Sequence, residues 1–145
     1  MTPIIREATA ADAAALTECF RRAYAQATAD IPDLPDVAAG LADDIAQHHV
    51  LIAANSVGHC LGGIVFSVDP PDAHLVNVAT DPDARGLGLG KHLVSEAETR
   101  AAALGARTMH LATHQDMPQN VVIYERLGWS VTAREGSKVL MSKRL

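Results

Sequence analysis

Asn77-Val78-Ala79-Thr80-Asp81-Pro82-Asp83-Ala84-Arg85-Gly86-Leu87-Gly88-Leu89-Gly90-Lys91-His92-Leu93 passes from an apolar run of strand length, through a glycine-rich segment, straight into helical periodicity. Leu89, Leu93, Ala97, Ala101 and Leu104 recur at the spacing of a buried helix face, and Gly105 supplies the C-terminal stop. Residues 108–113 again read as a strand. The unit from about 74 to 113 is therefore strand, glycine loop, helix, strand, a βαβ crossover with parallel strands.

Glycines between a strand and a helix N-terminus let backbone N–H groups converge on an anion, where the helix dipole adds favourable potential. Spacing decides which anion. A Walker A loop requires G-x-x-x-x-G-K-[ST], but Arg85 stands at the first glycine position and His92 at the Mg²⁺-binding hydroxyl. A G-x-G-x-x-G dinucleotide loop fails as well. Counting from Gly86 puts Lys91 at the third glycine, counting from Gly88 puts Leu93 there, and Arg107 lies near the place of the ribose-binding acid. What remains is R-x-x-G-x-G.

Outward from this unit, residues 4–7 read as a strand, and Thr9-x-x-Asp12 as a capping box opening a helix to about Gln26. A loop with two prolines follows. A second helix is expected from about Asp36 to Gln47, with Val37, Leu41 and Ile45 on one face. Strands over 50–54 and 61–68 flank the hairpin turn Asn55-Ser56-Val57-Gly58, and Asp69-Pro70-Pro71-Asp72 turns into the strand ending near Thr80. Beyond the crossover, Pro118 opens a short helix to Leu127, closed by Gly128, and a hairpin over 131–134 and 139–141 ends the chain. This order makes a mixed α/β sheet in one domain, 1–145, as suits a chain of 145 residues.

The 48% hydrophobic content supplies a core and excludes disorder of the low-hydrophobicity kind. The net charge of −5 argues against nucleic acid and anionic membranes as partners. Cys19 and Cys60 fit neither a disulfide scaffold nor a zinc site, and are read as buried small apolar residues. With no signal-like start and no membrane-length apolar run, a soluble cytoplasmic protein is expected. The charge is unevenly spread: residues between Arg22 and Arg85 carry −9, and those from Arg85 onward +4. Such a split suits a cationic partner for the first half and an anionic one for the second.

The 77–93 stretch resembles, almost position for position, the strand and pyrophosphate loop of the GNAT superfamily of acyl-CoA-dependent N-acetyltransferases. Met117-Pro118-Gln119-Asn120-Val121-Val122-Ile123-Tyr124-Glu125-Arg126-Leu127-Gly128-Trp129 is similar to the family's late segment, and Ile5-Arg6-x-Ala8-Thr9-x-x-Asp12 to a common opening. The resemblance spans essentially the whole chain. It implies a mostly antiparallel, twisted mixed sheet with a central parallel strand pair and about four helices. It further implies acetyl-CoA as cosubstrate, with no metal, and allows a homodimer. Main-chain groups of Val78, Ala79 and Thr80 would bond the pantetheine arm as an added strand. The amides of Arg85, Gly86, Leu87, Gly88, Leu89, Gly90 and Lys91 would hold the diphosphate, with Arg85 and Lys91 adding charge. Asn120 and Tyr124 complete the implied cofactor contacts. Many members place an Asn seven residues before the tyrosine, where this chain has Met117.

By the same resemblance a primary amine, small or a lysine side chain, would attack the thioester directly in a ternary complex, with Tyr124 as general acid toward the leaving thiolate. The acidic segment 30–44 lies where the family forms its acceptor wall. No general base stands out: Asn77 occupies a strand position where some relatives have a glutamate, and His74 and His114 are nearby candidates in sequence, although a lone His is more often a surface or hydrogen-bonded residue. The alternative is a non-catalytic acyl-CoA-binding sensor or interaction module, favoured by that missing base. His48-His49 and His110-x-x-x-His114 lack metal-ligand geometry on strands.

Overall fold

The computed structural model describes residues 3–34, 36 and 38–145. The chain runs β1 (Ile4–Glu7), α1 (Ala13–Asp30), α2 (Leu41–Gln47), β2 (His49–Ala54), β3 (Cys60–Asp69), β4 (Asp72–Thr80), α3 (Leu89–Ala103), β5 (Thr108–His114), α4 (Pro118–Arg126), β6 (Ser130–Glu135) and β7 (Lys138–Arg144). The strands form one sheet in the order β1-β2-β3-β4-β5-β7-β6. Every neighbouring pair is antiparallel except β4 and β5, which α3 connects in parallel, so the mixed sheet and its central parallel pair stand as expected.

Alternating side chains divide the core between the two faces of this sheet. Leu51, Ile64, Phe66 and Leu75 pack with Leu89, Leu93 and Ala97 of α3 on one face, whereas Val50, Ile52 and Val65 pack with Leu16, Phe20 and Leu41 of α1 and α2 on the other. Gly62 and Gly63 allow the close approach. A Cβ at Gly62 would stand 2.7 Å from the Ala79 carbonyl oxygen, and one at Gly63 would stand 2.6 Å from Leu16 Cδ2. Among the described residues, no helix is long and apolar enough to cross a membrane.

Three helix boundaries differ from expectation. The Thr9–Asp12 box forms, with Thr9 N–H donating to Asp12 Oδ2 at 2.8 Å, but it caps a single 3₁₀ turn ahead of α1. α1 then runs past Gln26 to Asp30. Gln26 Nε2 donates to the Asp30 carboxylate at 2.9–3.0 Å, a one-turn contact that carries the helix on to extended Ile31 and Pro32. α2 is shorter than the expected 36–47. Gly40 adopts φ +80°, so helical geometry cannot pass through it and begins at Leu41. Val37, expected on the buried face of that helix, lies outside the described residues.

Beside the crossover the sheet opens. β4 pairs with β5 only over Asp72↔Thr108, Ala73↔Met109 and His74↔His110, although both strands continue. Against β3, the pairing passes from Phe66↔Leu75 to Val65↔Asn77, so Val76 is an extra residue, a β-bulge. The bulge sits where β4 and β5 part.

Candidate functional site

β4 presents an unpaired edge beyond the fork. Asp81 N–H donates to Leu61 O at 2.8 Å, and strand groups alternate between edges. Ala79 therefore turns its main-chain groups to β3, while those of Val78 and Thr80 face the gap left by β5. One of these groups already has a partner. The Tyr24 hydroxyl lies 3.0 Å from Val78 O and 2.9 Å from Asn77 Oδ1, and donates its single proton to this pair. Burial pushes the Tyr24 phenol up to about 12, so it remains a donor at neutral pH.

The glycine loop follows directly. Asp81 accepts the Asp83 amide at 2.9 Å and caps a short 3₁₀ turn, after which Gly86 and Gly88 take φ +88° and +72°. These left-handed residues turn the chain so that α3 starts at Leu89 with its N-terminus toward the gap. Among the described residues nothing accepts from the amides of Gly86, Leu87 or Gly88. Helix geometry leaves the first-turn amides from Leu89 to Lys91 without intrahelical partners. A Cβ on Gly86 or Gly88 would meet nothing within 4 Å. Open donors, a helix N-terminus and empty space beside them fit a diphosphate.

Three consecutive residues of α1 hold the loop and β4 in place. Arg22 bridges Asp81 at 3.4 Å and Asp83 at 3.1 Å, Ala23 O accepts from Arg85 Nη2 at 2.9 Å, and Tyr24 bonds at the fork. The Arg85 guanidinium thus reaches back to α1, while Lys91 stays exposed at the loop.

On the far wall, α4 is fixed by its end. Buried Trp129 donates from its main chain to Tyr124 O at 3.0 Å and from its indole to Glu98 at 3.3 Å. The Tyr124 ring meets the Trp129 ring edge-on at 5.8 Å. Burial pushes the Tyr124 phenol well above its ordinary value, with Tyr24 adding to the effect, so the hydroxyl is protonated at neutral pH. Asn120 Nδ2 donates to Thr113 Oγ1 at 3.2 Å, tying α4 to β5.

These elements enclose two connected spaces. A groove of about 680 Å³ runs between α1, β4 and α4, lined by Val78, Thr80, Arg85 and Tyr124 among others. It continues into a hollow of about 430 Å³ that includes Gly86, Gly88, Gly90 and Lys91. A cleft of about 450 Å³ opens from the fork under the α1–α2 loop, and Tyr24, Met117 and Asn120 wall both this cleft and the groove. Asp33, Asp36 and Asp44 line the cleft, with Lys138 on the β7 side. The His114 hydrogen bond holds the Asp33 carboxyl below its usual range, whereas burial pushes Asp44 upward.

The histidines considered as bases separate. His74 lies outside the cleft, its ring 5.2 Å from His110, which meets Asp72 at 2.8 Å. His114 lines the cleft but accepts the Asp116 amide on Nδ1 at 3.0 Å. Its Nε2 therefore carries the proton, directed at Asp33 Oδ1 at 2.8 Å, and no ring lone pair is left for an amine. The bulge at Val76, the Gly62-Gly63 contact and the His114–Asp33 pair all escape sequence reasoning. Only the glycine doublet inside a strand is a visible signal. Cys19 and Cys60 are both buried, and the Cys19 thiol is pushed up by its contact with Cys60.

By sequence alone, no curated protein matches this chain significantly. Solved structures do resemble it. PaiA N-acetyltransferase from Thermoplasma acidophilum, in complex with coenzyme A, aligns over 100% of both chains with a TM-score of 0.88 and 21% identity. A phosphinothricin acetyltransferase from Sinorhizobium meliloti, in complex with AcCoA, covers 100% of this chain and 89% of its own, with a TM-score of 0.80 and 24% identity. The ribosomal-protein-S18-alanine N-acetyltransferase from Escherichia coli follows at 0.80 and 19%, covering 98% and 93%. At such identities these likenesses show the fold. The acetyltransferase (GNAT) family model matches residues 13–129, from the first turn of α1 to Trp129, and by that match the chain belongs to the GNAT family of acetyltransferases.

Proposed function

We propose that the protein moves an acetyl group from acetyl-CoA to a primary amine by direct attack in a ternary complex. The supporting observation is the meeting, at the β4–β5 fork, of a groove with open main-chain donors and a cleft lined by carboxylates. The diphosphate lies against the amides from Gly86 to Lys91, with Lys91 adding charge. The free main-chain groups of Val78 and Thr80 take the pantetheine arm as an added strand. Acetyl-CoA supplies the thioester.

A neutral amine enters from the acidic cleft and forms the new C–N bond as the C–S bond breaks. Tyr124 gives its proton to the departing sulfur, a role that its protonated state at neutral pH permits. Neither ring nitrogen of His114 is free to take the amine's proton, which leaves through the cleft to solvent. Cationic acceptors, whether small amines or a lysine side chain, suit the carboxylates of that cleft.

The test is thiol release from acetyl-CoA against a panel of primary amines, with products identified by mass. Amine-dependent thiol release is expected. Tight CoA binding with no turnover on any amine would overturn the reading in favour of a CoA-binding module.

A further inference from the structure

Tyr124 stands in the last turn of α4, a helix of nine residues of which none is fully buried. A helix this short does not hold itself, so what fastens its ends decides where its side chains stand. At its start, Pro118 occupies the first turn and Asn120 is tied to Thr113. At its end the chain closes in a Schellman turn, with Gly128 N–H donating to Glu125 O at 3.1 Å and Trp129 N–H to Tyr124 O at 3.0 Å. Helix geometry leaves the carbonyl of Leu127 to be satisfied from outside.

A charged side chain from the sheet supplies the partner. Val139 and Met141, both buried in the α3 core, set the inward face of β7, and the next position on that face is Lys143. Its ammonium donates to Leu127 O at 2.8 Å and to Glu98 Oε1 of α3 at 2.7 Å. The other Glu98 oxygen accepts the Trp129 indole N–H, and the Trp129 ring meets Tyr124 edge-on. A cation is favoured at a helix C-terminus, and the two side chains are only 26% and 15% exposed, so water screens the pair in part. Gly128 leaves the room, since a Cβ there would stand 3.3 Å from Lys143 Cε.

The clasp thus joins two walls of the site. Glu98 belongs to α3, whose N-terminus faces the diphosphate hollow, and Leu127 ends α4, which carries Tyr124. Neither Lys143 nor Glu98 lines the groove, the hollow or the cleft.

We infer that Lys143, held by Glu98, is a positioning residue for the reaction: it fixes the last turn of α4 against α3 and so sets the Tyr124 hydroxyl within reach of the departing sulfur. This rests on the acetyl-transfer reading above, in which Tyr124 is the proton donor. It adds that the spacing between cofactor and acid is governed from β7, by two residues that touch neither ligand.

The experiment is steady-state thiol release with acetyl-CoA and the primary amine turned over fastest in the panel above, on K143M and E98Q, each with Tyr124 intact and combined with Y124F. With Tyr124 intact, K143M should lower kcat about tenfold, a partial loss of a positioned acid, and E98Q should lower it in the same direction. The Kd for acetyl-CoA, by calorimetry, should move less than about threefold, because main-chain amides hold the diphosphate. Combined with Y124F, each substitution should change kcat less than about twofold, since the group it positions is gone. K143R, which keeps the charge and several N–H donors, should restore kcat to within about threefold. Should K143M not fold, E98Q, which has the shape of the native side chain, carries the same cycle. An unchanged kcat, equal fold losses with and without the Tyr124 hydroxyl, or a loss that K143R shares in full would overturn the inference.

The two readings fail differently. No turnover on any amine in the unsubstituted protein would sink acetyl transfer, and the inference with it. Turnover that depends on Tyr124 but not on Lys143 or Glu98 would sink the inference alone.

Discussion

The groove along β4 and the cleft under the α1–α2 loop share the walls Tyr24, Met117 and Asn120, yet are made of different material. The groove is largely main chain: an unpaired strand edge, left-handed glycines and open amides at a helix start. The cleft is largely side chain, assembled from α1, the α1–α2 loop, α2, β5 and the β6–β7 turn. A main-chain site depends on conformation and tolerates most side-chain changes, whereas a side-chain site depends on the identity of a few residues. Substitutions should therefore separate the two limbs.

The largest separation is expected at Gly88. A β-branched residue at φ +72° forces the loop out of its left-handed turn, and G88V should weaken CoA binding by about a hundredfold or more. Far-UV circular dichroism should stay native, and amine binding in the other limb should persist. Unchanged CoA affinity by calorimetry would remove the loop from the cofactor site. Next is Tyr124→Phe. Loss of a positioned acid should lower kcat by about a hundredfold while the Kd for CoA moves less than about threefold. Equal loss in kcat and CoA affinity would make Tyr124 a binding residue only.

Gly62→Ala addresses the strand from behind. Its Cβ would meet the Ala79 carbonyl oxygen at 2.7 Å, so β4 must shift, at a cost of about 1–3 kcal/mol in urea unfolding. CoA affinity should suffer more than amine affinity. Tyr24→Phe removes the hydroxyl at the junction and should cost about 1 kcal/mol of stability. It is the one substitution expected to weaken both ligands together; an effect confined to one limb would show that the junction is not shared.

The smallest effect lies outside both limbs. Arg6 and the Thr9 amide hold the Asp12 carboxyl well below its ordinary range. A depressed carboxyl contributes stability in full above its unfolded value, near 4, and loses it as the pH falls toward the folded value. The Tm advantage over D12N should therefore shrink between pH 5 and pH 3. A gap constant over that interval would remove Asp12 as an anchor of the N-terminal turn.

The same contrast explains what could be read from sequence. The crossover, its loop and the order of elements are local: glycine spacing, strand-length runs and a 3.6-residue period identify them without any partner. The strand edge at Val78 and Thr80 follows from them. The acidic segment is visible as charge, but nothing near Asp33 marks it apart from Asp36 or Asp44. Its distinction comes from His114 across the fork, and that pairing requires the fold. The early end assigned to α1 and the overlong α2 share this origin, since one side-chain contact at Asp30 and one left-handed glycine at position 40 override propensity.

The bulge at Val76 has a consequence beyond the fork it marks. A strand is a two-beat rhythm, and one surplus residue delays every later beat. Before the bulge, Ala73 and Leu75 point with α3; after it Val78 does, and Asn77 and Ala79 point with α1. A ladder that took Val76 in as an ordinary paired residue would reverse each side chain from Asn77 to Thr80. Asn77 would turn into the α3 core, beyond the reach of Tyr24, and the β4 edge would show the gap its other set of amides and carbonyls. Loss of that one irregularity, with no residue changed, no charge lost and no loop touched, would unmake both limbs at once.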